Sequence, residues 1–161
     1  MNTNYRMRRK EREITATADI EAVISHCDVC RIAFSDDNAP YIVTMNFGYS
    51  GGTEKILYFH SAGEGRKISM IGRNNYVCFE MDTDHSLLTG AEACDFTMKY
   101  SSVVGWGRIY IITDEKEKEA GMNSIMHHYT NQQVFIYFKD VFERTTVLKL
   151  VIETMTGKST L

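Results

Sequence analysis

The sequence is poor in several things at once: it has one proline and one tryptophan in 161 residues, no long apolar run, and no surplus of positive charge. With no internal repeat, low-complexity tract or linker, nothing divides the chain, and 1–161 is expected to fold as a single domain. No window approaches the roughly 18 apolar residues that a membrane-spanning helix needs. The start, MNTNYRMRRKERE, lacks the apolar centre of a signal peptide, so the expected address is the cytoplasm, with no membrane partner. A formal net charge of −3 argues against nucleic acid, whose binders displace counterions with a basic footprint. What is present is apolar mass, 43% of the residues, enough to bury a sizeable core. The expected partner is a small molecule or another protein.

Two of the four cysteines form Cys27-Asp-Val-Cys30, a spacing shared by redox pairs and half zinc sites. A thioredoxin-like pair opens a helix after a strand, whereas this one follows a helical segment and leads into a strand. Zinc needs a second pair of ligands, yet Cys78 and Cys94 are far apart and the adjacent His127 and His128 fall on an expected helix. Buried free thiols are the favoured reading, metal or redox chemistry the alternative, and no metal site is expected.

Residues 6–12, RMRRKER, lie in a basic N-terminal arm over 1–13, read as a solvated run or as a cap on a neighbouring subunit or an anionic ligand. Thr17 or Asp19 can cap a short helix whose Ile20, Val23, Ile24 and Cys27 share a face. Val29 to Ser35 reads as a strand, Asp36-Asp37-Asn38 as a turn, and Pro40 as the start of a second strand. Over 40–49, PYIVTMNFGY, the odd positions Tyr41 to Tyr49 are apolar or aromatic, while Ile42, Thr44 and Asn46 face the other way. Ser50-Gly51-Gly52-Thr53 supplies a turn, Lys55 to Ser61 a third strand, 64–73 a short helix stopped at Asn74, and Tyr76 to Asp82 a fourth strand. Thr83 to Thr97 lacks period and reads as a loop.

A long strand over 100–112 leads through Thr113 as N-cap into a helix with a core-facing stripe of Met122, Ile125, Met126 and Tyr129. A last strand covers 146–153. About six strands against three or so helices predict a mainly β, antiparallel fold closed into a barrel, because closure removes exposed edges.

The chemistry gathers in LYFHSAGEGRK, 57–67. Arg66 and Lys67 follow Gly65 at the start of the short helix, where free N–H groups and two cations suit a phosphate; an ordinary exposed helix face is the alternative. His60 and Ser61 end the preceding strand, with His60 on the face of Ile56 and Tyr58, as a structural histidine or a ligand contact. Gly105-Trp106-Gly107 bares one face of a strand, for close packing at a bend or for a flat ring, and Ser101 and Ser102 stand just upstream. Together these features suit a planar, phosphorylated molecule.

The segments MRRKEREIT at 7–15, CDVCRIAF at 27–34, PYIVTMNFGY, LYFHSAGEGRK, VCFEMD at 77–82, TMKYSSVVGWGRIYII at 97–112 and MTGK at 155–158 recur here in a specific order and spacing. In these the sequence resembles the flavin-binding split barrels related to pyridoxamine 5′-phosphate oxidase, and within them the 5-nitroimidazole resistance proteins. The resemblance implies a six-stranded antiparallel split barrel, dimeric with a second copy of itself, holding a flavin in each of two interfacial clefts; FMN is usual and FAD possible. It implies that the isoalloxazine lies along Val43, Thr44, Met45 and Asn46, and the ribityl phosphate near His60, Ser61, Arg66 and Lys67. Tyr100, Ser101 and Ser102 approach from the partner subunit. His60 is the implied catalytic or substrate-contacting residue.

The wider family's oxidases end in a basic, aromatic segment that holds pyridoxal phosphate, whereas this sequence ends TMTGKSTL, so vitamin B6 oxidation is not expected. The expected function is a flavin-dependent oxidoreductase of nitroreductase type acting on small electrophiles. A flavin-binding module for storage or sensing, without its own substrate, is the alternative.

Overall fold

The computed structural model describes residues 7–35 and 39–160. Its strands are β1 (Glu13–Ile14), β2 (Cys30–Phe34), β3 (Tyr41–Met45), β4 (Gly48–Ser50), β5 (Ile56–Ser61), β6 (Tyr76–Leu88), β7 (Thr97–Ile111) and β8 (Thr146–Ser159). The helices are α1 (Thr17–His26), α2 (Arg66–Arg73), α3 (Glu115–Tyr129) and α4 (Lys139–Arg144), with single 3-10 turns at Lys10–Arg12 and Ala93–Asp95. No helix among the described residues is long and apolar enough to cross a membrane.

The strands form one antiparallel sheet in the order β3-β2-β6-β7-β8-β5-β4, with β1 added to β8. The two edge strands, β3 and β4, are consecutive in the chain and separated only by Asn46 and Phe47, so the sheet curls until its edges meet at that corner.

The strand count is therefore eight and not six, and both extra strands have physical causes. The alternation over 40–49 is as expected, with Met45 and Phe47 buried and Ile42, Thr44 and Asn46 exposed. The hydrogen-bond ladder nevertheless breaks at the corner, where one strand becomes two. Part of the basic arm is the other addition: Lys10–Arg12 turns, and Glu13–Ile14 pairs with Lys158 and Gly157. The expected turn at 36–38 lies outside the described residues, as do the first six residues of the arm.

Further corrections concern ends and caps. The fourth strand runs to Leu88 and the long strand begins at Thr97, so both ends of the expected 83–97 loop extend a ribbon and the loop itself shortens to 89–96. A register shift between Thr83 and Ser86, with Asp84 at φ 59°, breaks the period that would have revealed it. Asp114, not Thr113, caps α3 by accepting from the Glu117 N–H at 2.8 Å. Ala16 occupies the cap position of α1, so neither Thr17 nor Asp19 caps it. The last strand continues to Ser159, and α4 was not foreseen.

The main core lies inside the curled sheet, where Ile32, Phe34, Phe47, Leu57, Phe59, Phe79, Met81, Val103, Ile109, Leu148 and Leu150 are fully buried, closed by Ile24 of α1 and Met70 of α2. A second cluster of Ile56, Tyr58, Ile112, Ile125 and Val147 packs α3 against the other side of β5 and β8. This is why β5 buries both faces, Leu57 and Phe59 inward and Ile56 and Tyr58 under α3.

Gly105 and Gly107 serve close packing. A Cβ on Gly105 would lie 2.4 Å from the Phe79 ring, and one on Gly107 would lie 2.0 Å from the Val151 carbonyl oxygen beside the bulge in the β7–β8 ladder. Val151 is itself paired with Ile56 of β5, so its backbone has little freedom to retreat. Gly107→Ala should therefore lower stability by about 2–3 kcal/mol, read as a reduced urea midpoint with unchanged slope; an unchanged midpoint would contradict this packing.

Candidate functional site

Gly65, at φ 111°, precedes α2 in a backbone conformation that favours glycine, and a Cβ there would meet nothing within 4 Å. No side chain caps the helix start, which leaves the first-turn N–H groups open. Arg66 is exposed and Lys67 half-buried, and among the described residues neither has a carboxylate partner. The Arg66 guanidinium stacks over the Tyr41 ring, 4.5 Å from its centroid. This stacking brings the start of α2 to the start of β3 and was not foreseen from the sequence, where Tyr41 reads only as an inward aromatic.

β3 is an edge strand, so one side of its backbone is outside the ladder. Val43 and Met45 point into the core, while Thr44 and Asn46 are exposed; the first pair can offer a ligand backbone only, the second pair side chains. At the end of β5, His60 is exposed and stands opposite Val147, on the face of Ile56 and Tyr58. Ser61 stands opposite Thr146, and its hydroxyl donates to the Ala62 carbonyl at 2.7 Å.

The residues at 100–102 are elsewhere. Ser101 is 1% exposed and bonds to the Ser159 hydroxyl at 3.2 Å, so its side chain belongs to the interior. Tyr100 and Ser102 are half-buried on the outer face of β7, beside the far end of β8. Thr146 pairs with Ser61 and Lys158 with Ser102, at opposite ends of β8. Around the other side of the sheet Thr44 pairs with Arg31, Arg31 bonds to Asp82 and Asp82 pairs with Ser102, three strand spacings or roughly 15 Å. One chain thus brings together 43–46, His60, Ser61, Arg66 and Lys67, and sets 100–102 three strands away on the outer face.

Between the two groups the outer face carries a charge cluster. Arg31 Nη1 donates to Glu80 Oε2 at 2.9 Å and also to Asp82 Oδ1, and His85 Nε2 lies 2.6 Å from Asp82 Oδ2. Burial pushes the Glu80 carboxyl up, and the Arg31 hydrogen bond pulls against it. The alternation of β2 puts Arg31 on this face; its partners needed the β2–β6 register.

The cysteines are free: Cys27 and Cys30 are buried, Cys78 half-buried and Cys94 exposed. Burial, aided by the Asp82 charge, pushes the Cys27 thiol up to about 12, which removes it from thiolate chemistry at neutral pH. Among the described residues no group of three or more metal-ligating side chains assembles.

The curled antiparallel sheet with α3 on its flank places the chain among the split-barrel proteins. Residues 16–159 match the pyridoxamine 5′-phosphate oxidase family, and the chain belongs to that family. A candidate 5-nitroimidazole antibiotic resistance protein from Bacteroides thetaiotaomicron is 36% identical, with 91% of this chain and 86% of that one covered and a TM-score of 0.80. Two more distant structures share the fold. A flavocytochrome from Azotobacter vinelandii has a TM-score of 0.82 at 16% identity, over 100% of this chain and 75% of that one. An FAD- and heme-binding protein from Mycobacterium smegmatis has a TM-score of 0.78 at 11% identity, over 92% and 73%. No curated protein matches the sequence.

The thiol environments give a direct test. In the native protein a maleimide should label Cys94 first and leave Cys27 and Cys30 unmodified until denaturant is added, as read by peptide mass mapping; rapid native labelling of Cys27 would refute its burial.

Proposed function

We propose that this chain is a flavin-dependent oxidoreductase that binds FMN, or alternatively FAD, and reduces small electrophiles such as 5-nitroimidazoles. It works as a single domain in the cytoplasm, in clefts formed between two copies of itself. The observation that carries the reading is the uncompensated Arg66–Lys67 pair beside an uncapped helix start, opened by Gly65 and continuous with the exposed face of Thr44 and Asn46. These residues fit a phosphorylated planar group: two cations and free N–H groups for the phosphate, edge backbone and two polar side chains for the ring. The flavin proteins among the structural relatives and the nitroimidazole resistance protein support the choice of ligand and substrate.

When bound, flavin supplies a hydride to an electrophile and accepts electrons again from a donor. The chain's own part is placement. Arg66 and Lys67 bind the phosphate, with Tyr41 holding the guanidinium in position, and Thr44 and Asn46 orient the ring by hydrogen bonds. A ring N–H of His60 orients the substrate or donates the proton that accompanies reduction. The three strand spacings between Thr44 and Ser102, occupied by Arg31 and Asp82, favour a cleft in which the partner supplies the second group. Among the described residues His60 makes no side-chain hydrogen bond, so no second side chain orients its ring. That observation favours the second reading, a binding module for storage or sensing.

The purified protein is expected to be yellow, bleached by a nicotinamide or chemical reductant, and recoloured anaerobically by a nitroimidazole. A bound flavin that no nitro compound reoxidises would leave the binding module and remove the reductase. Arg66→Ala with Lys67→Ala should weaken flavin binding by about tenfold or more for each charge-assisted hydrogen bond removed, measured by fluorescence titration. His60→Ala should keep the flavin and alter turnover; if it unfolds the protein instead, His60 is a structural residue.

A further inference from the structure

Where α3 crosses β4 and β5, a cavity of about 640 Å³ opens between that helix and the last turn of α1, within the size range of small-molecule sites. Two glycines bring the helix close enough to form its floor. A Cβ on Gly48 would lie 2.4 Å from the Ser124 carbonyl carbon, and one on Gly121 would lie 2.9 Å from Tyr58 Cδ1. The Tyr58 ring is thus held under α3 and is 9% exposed. Its hydroxyl has no hydrogen-bond partner among the described residues. No side-chain oxygen or nitrogen sealed from solvent lacks a partner among those residues, so this hydroxyl reaches open space, and the cavity that Tyr58 lines is that space.

The chemistry of the wall specifies what can fill it. Burial pushes the Tyr58 phenol up, against the pull of the Lys149 charge, so the group is an O–H donor at neutral pH. Asn123 is a second fixed donor: Tyr137 donates its hydroxyl proton to Asn123 Oδ1 at 2.9 Å, which orients the amide and leaves Nδ2 without a partner. Tyr49, anchored by donating to Glu21 Oε1 at 2.8 Å, and His127, packed in a T shape with Phe135, supply flat faces. None of the lining residues is Asp, Glu, Lys or Arg. An ion would lose hydration here with no counter-charge in return, whereas an uncharged ring carrying acceptors would satisfy both donors.

We propose that this cavity is a binding site for an uncharged, planar heteroaromatic ring bearing a carbonyl or ring-nitrogen acceptor, held by the Tyr58 O–H and the Asn123 Nδ2–H. Neither Arg66 nor Lys67 lines it, so it is separate from the phosphate arm, and it does not rest on the flavin reading.

Nicotinamide, an uncharged pyridine carboxamide at neutral pH, is the probe, and nicotinate, the same ring with a carboxylate, is its control. Titrated into the full-length protein and followed by NMR, nicotinamide should bind saturably, with nicotinate about tenfold weaker or silent. Tyr58→Phe, which keeps the ring, and Asn123→Asp, which keeps the acceptor for Tyr137, should each weaken nicotinamide about three- to tenfold. Arg66→Ala with Lys67→Ala should leave its affinity unchanged; a loss there would place the probe in the phosphate arm and overturn the site. The thermal midpoint of Tyr58→Phe should stay level or rise, because the variant removes an unpaired hydroxyl. A fall would show that the hydroxyl already has a partner and overturn the proposal. So would nicotinamide that does not bind, that binds no better than nicotinate, or that binds both variants as well as the native protein.

Discussion

The architecture depends on one corner and on the two residues that hold it. Tyr129, the last residue of α3, accepts the Phe47 N–H at 3.1 Å and donates its own hydroxyl proton to the Asp28 carbonyl at 2.7 Å. Beside it, His128 Nε2 lies 2.7 Å from the Cys27 carbonyl oxygen, and its ring packs on Phe47 with centroids 4.2 Å apart. The chain must leave one edge of the sheet at Met45 and enter the other at Gly48, which exposes backbone groups that no ladder satisfies. The end of α3 satisfies one of them and also ties down the segment entering β2. Because the corner is fixed, Thr44 and Asn46 face outward immediately before it, next to the phosphate arm that Tyr41 docks.

Much of this fold is legible from period alone, and the failures mark where tertiary structure overrides period. Tyr41, Met45, Phe47 and the alternating residues between them read as one strand because the two pieces keep the same phase across the corner. Only the strand order reveals that they belong to opposite edges. The stretch after Asp82 fails for the opposite reason: the register shift and the positive φ of Asp84 destroy the alternation of a ribbon that is nevertheless paired. Tyr129 looked like the end of a buried helical stripe, yet it is 43% exposed and acts through its hydroxyl. A pattern of hydrophobicity cannot distinguish a tyrosine that packs from one that staples.

The chemistry was legible where it is local in sequence. His60, Ser61, Arg66 and Lys67 lie within eight residues, and a glycine with a following cation pair announces an anion site without knowledge of the fold. Arg31 and its partners Glu80 and Asp82 come from distant parts of the chain and are joined only by the β2–β6 ladder, so spacing carries no trace of them. Sequence order exposes sites built on a turn and hides sites built across strands.

Net charge is also a poor guide to what such a surface attracts. The sequence is acidic, and the middle of the outer face is acidic too, since Glu80 and Asp82 share the single guanidinium of Arg31. Among the described residues Arg66 and Lys67 form no ion pair, so positive charge is left at the start of α2, beside Thr44 and Asn46. A carboxylate-rich centre beyond β3 disfavours anions that bind out of place, so an acidic chain can still present a local, selective site for a negatively charged group.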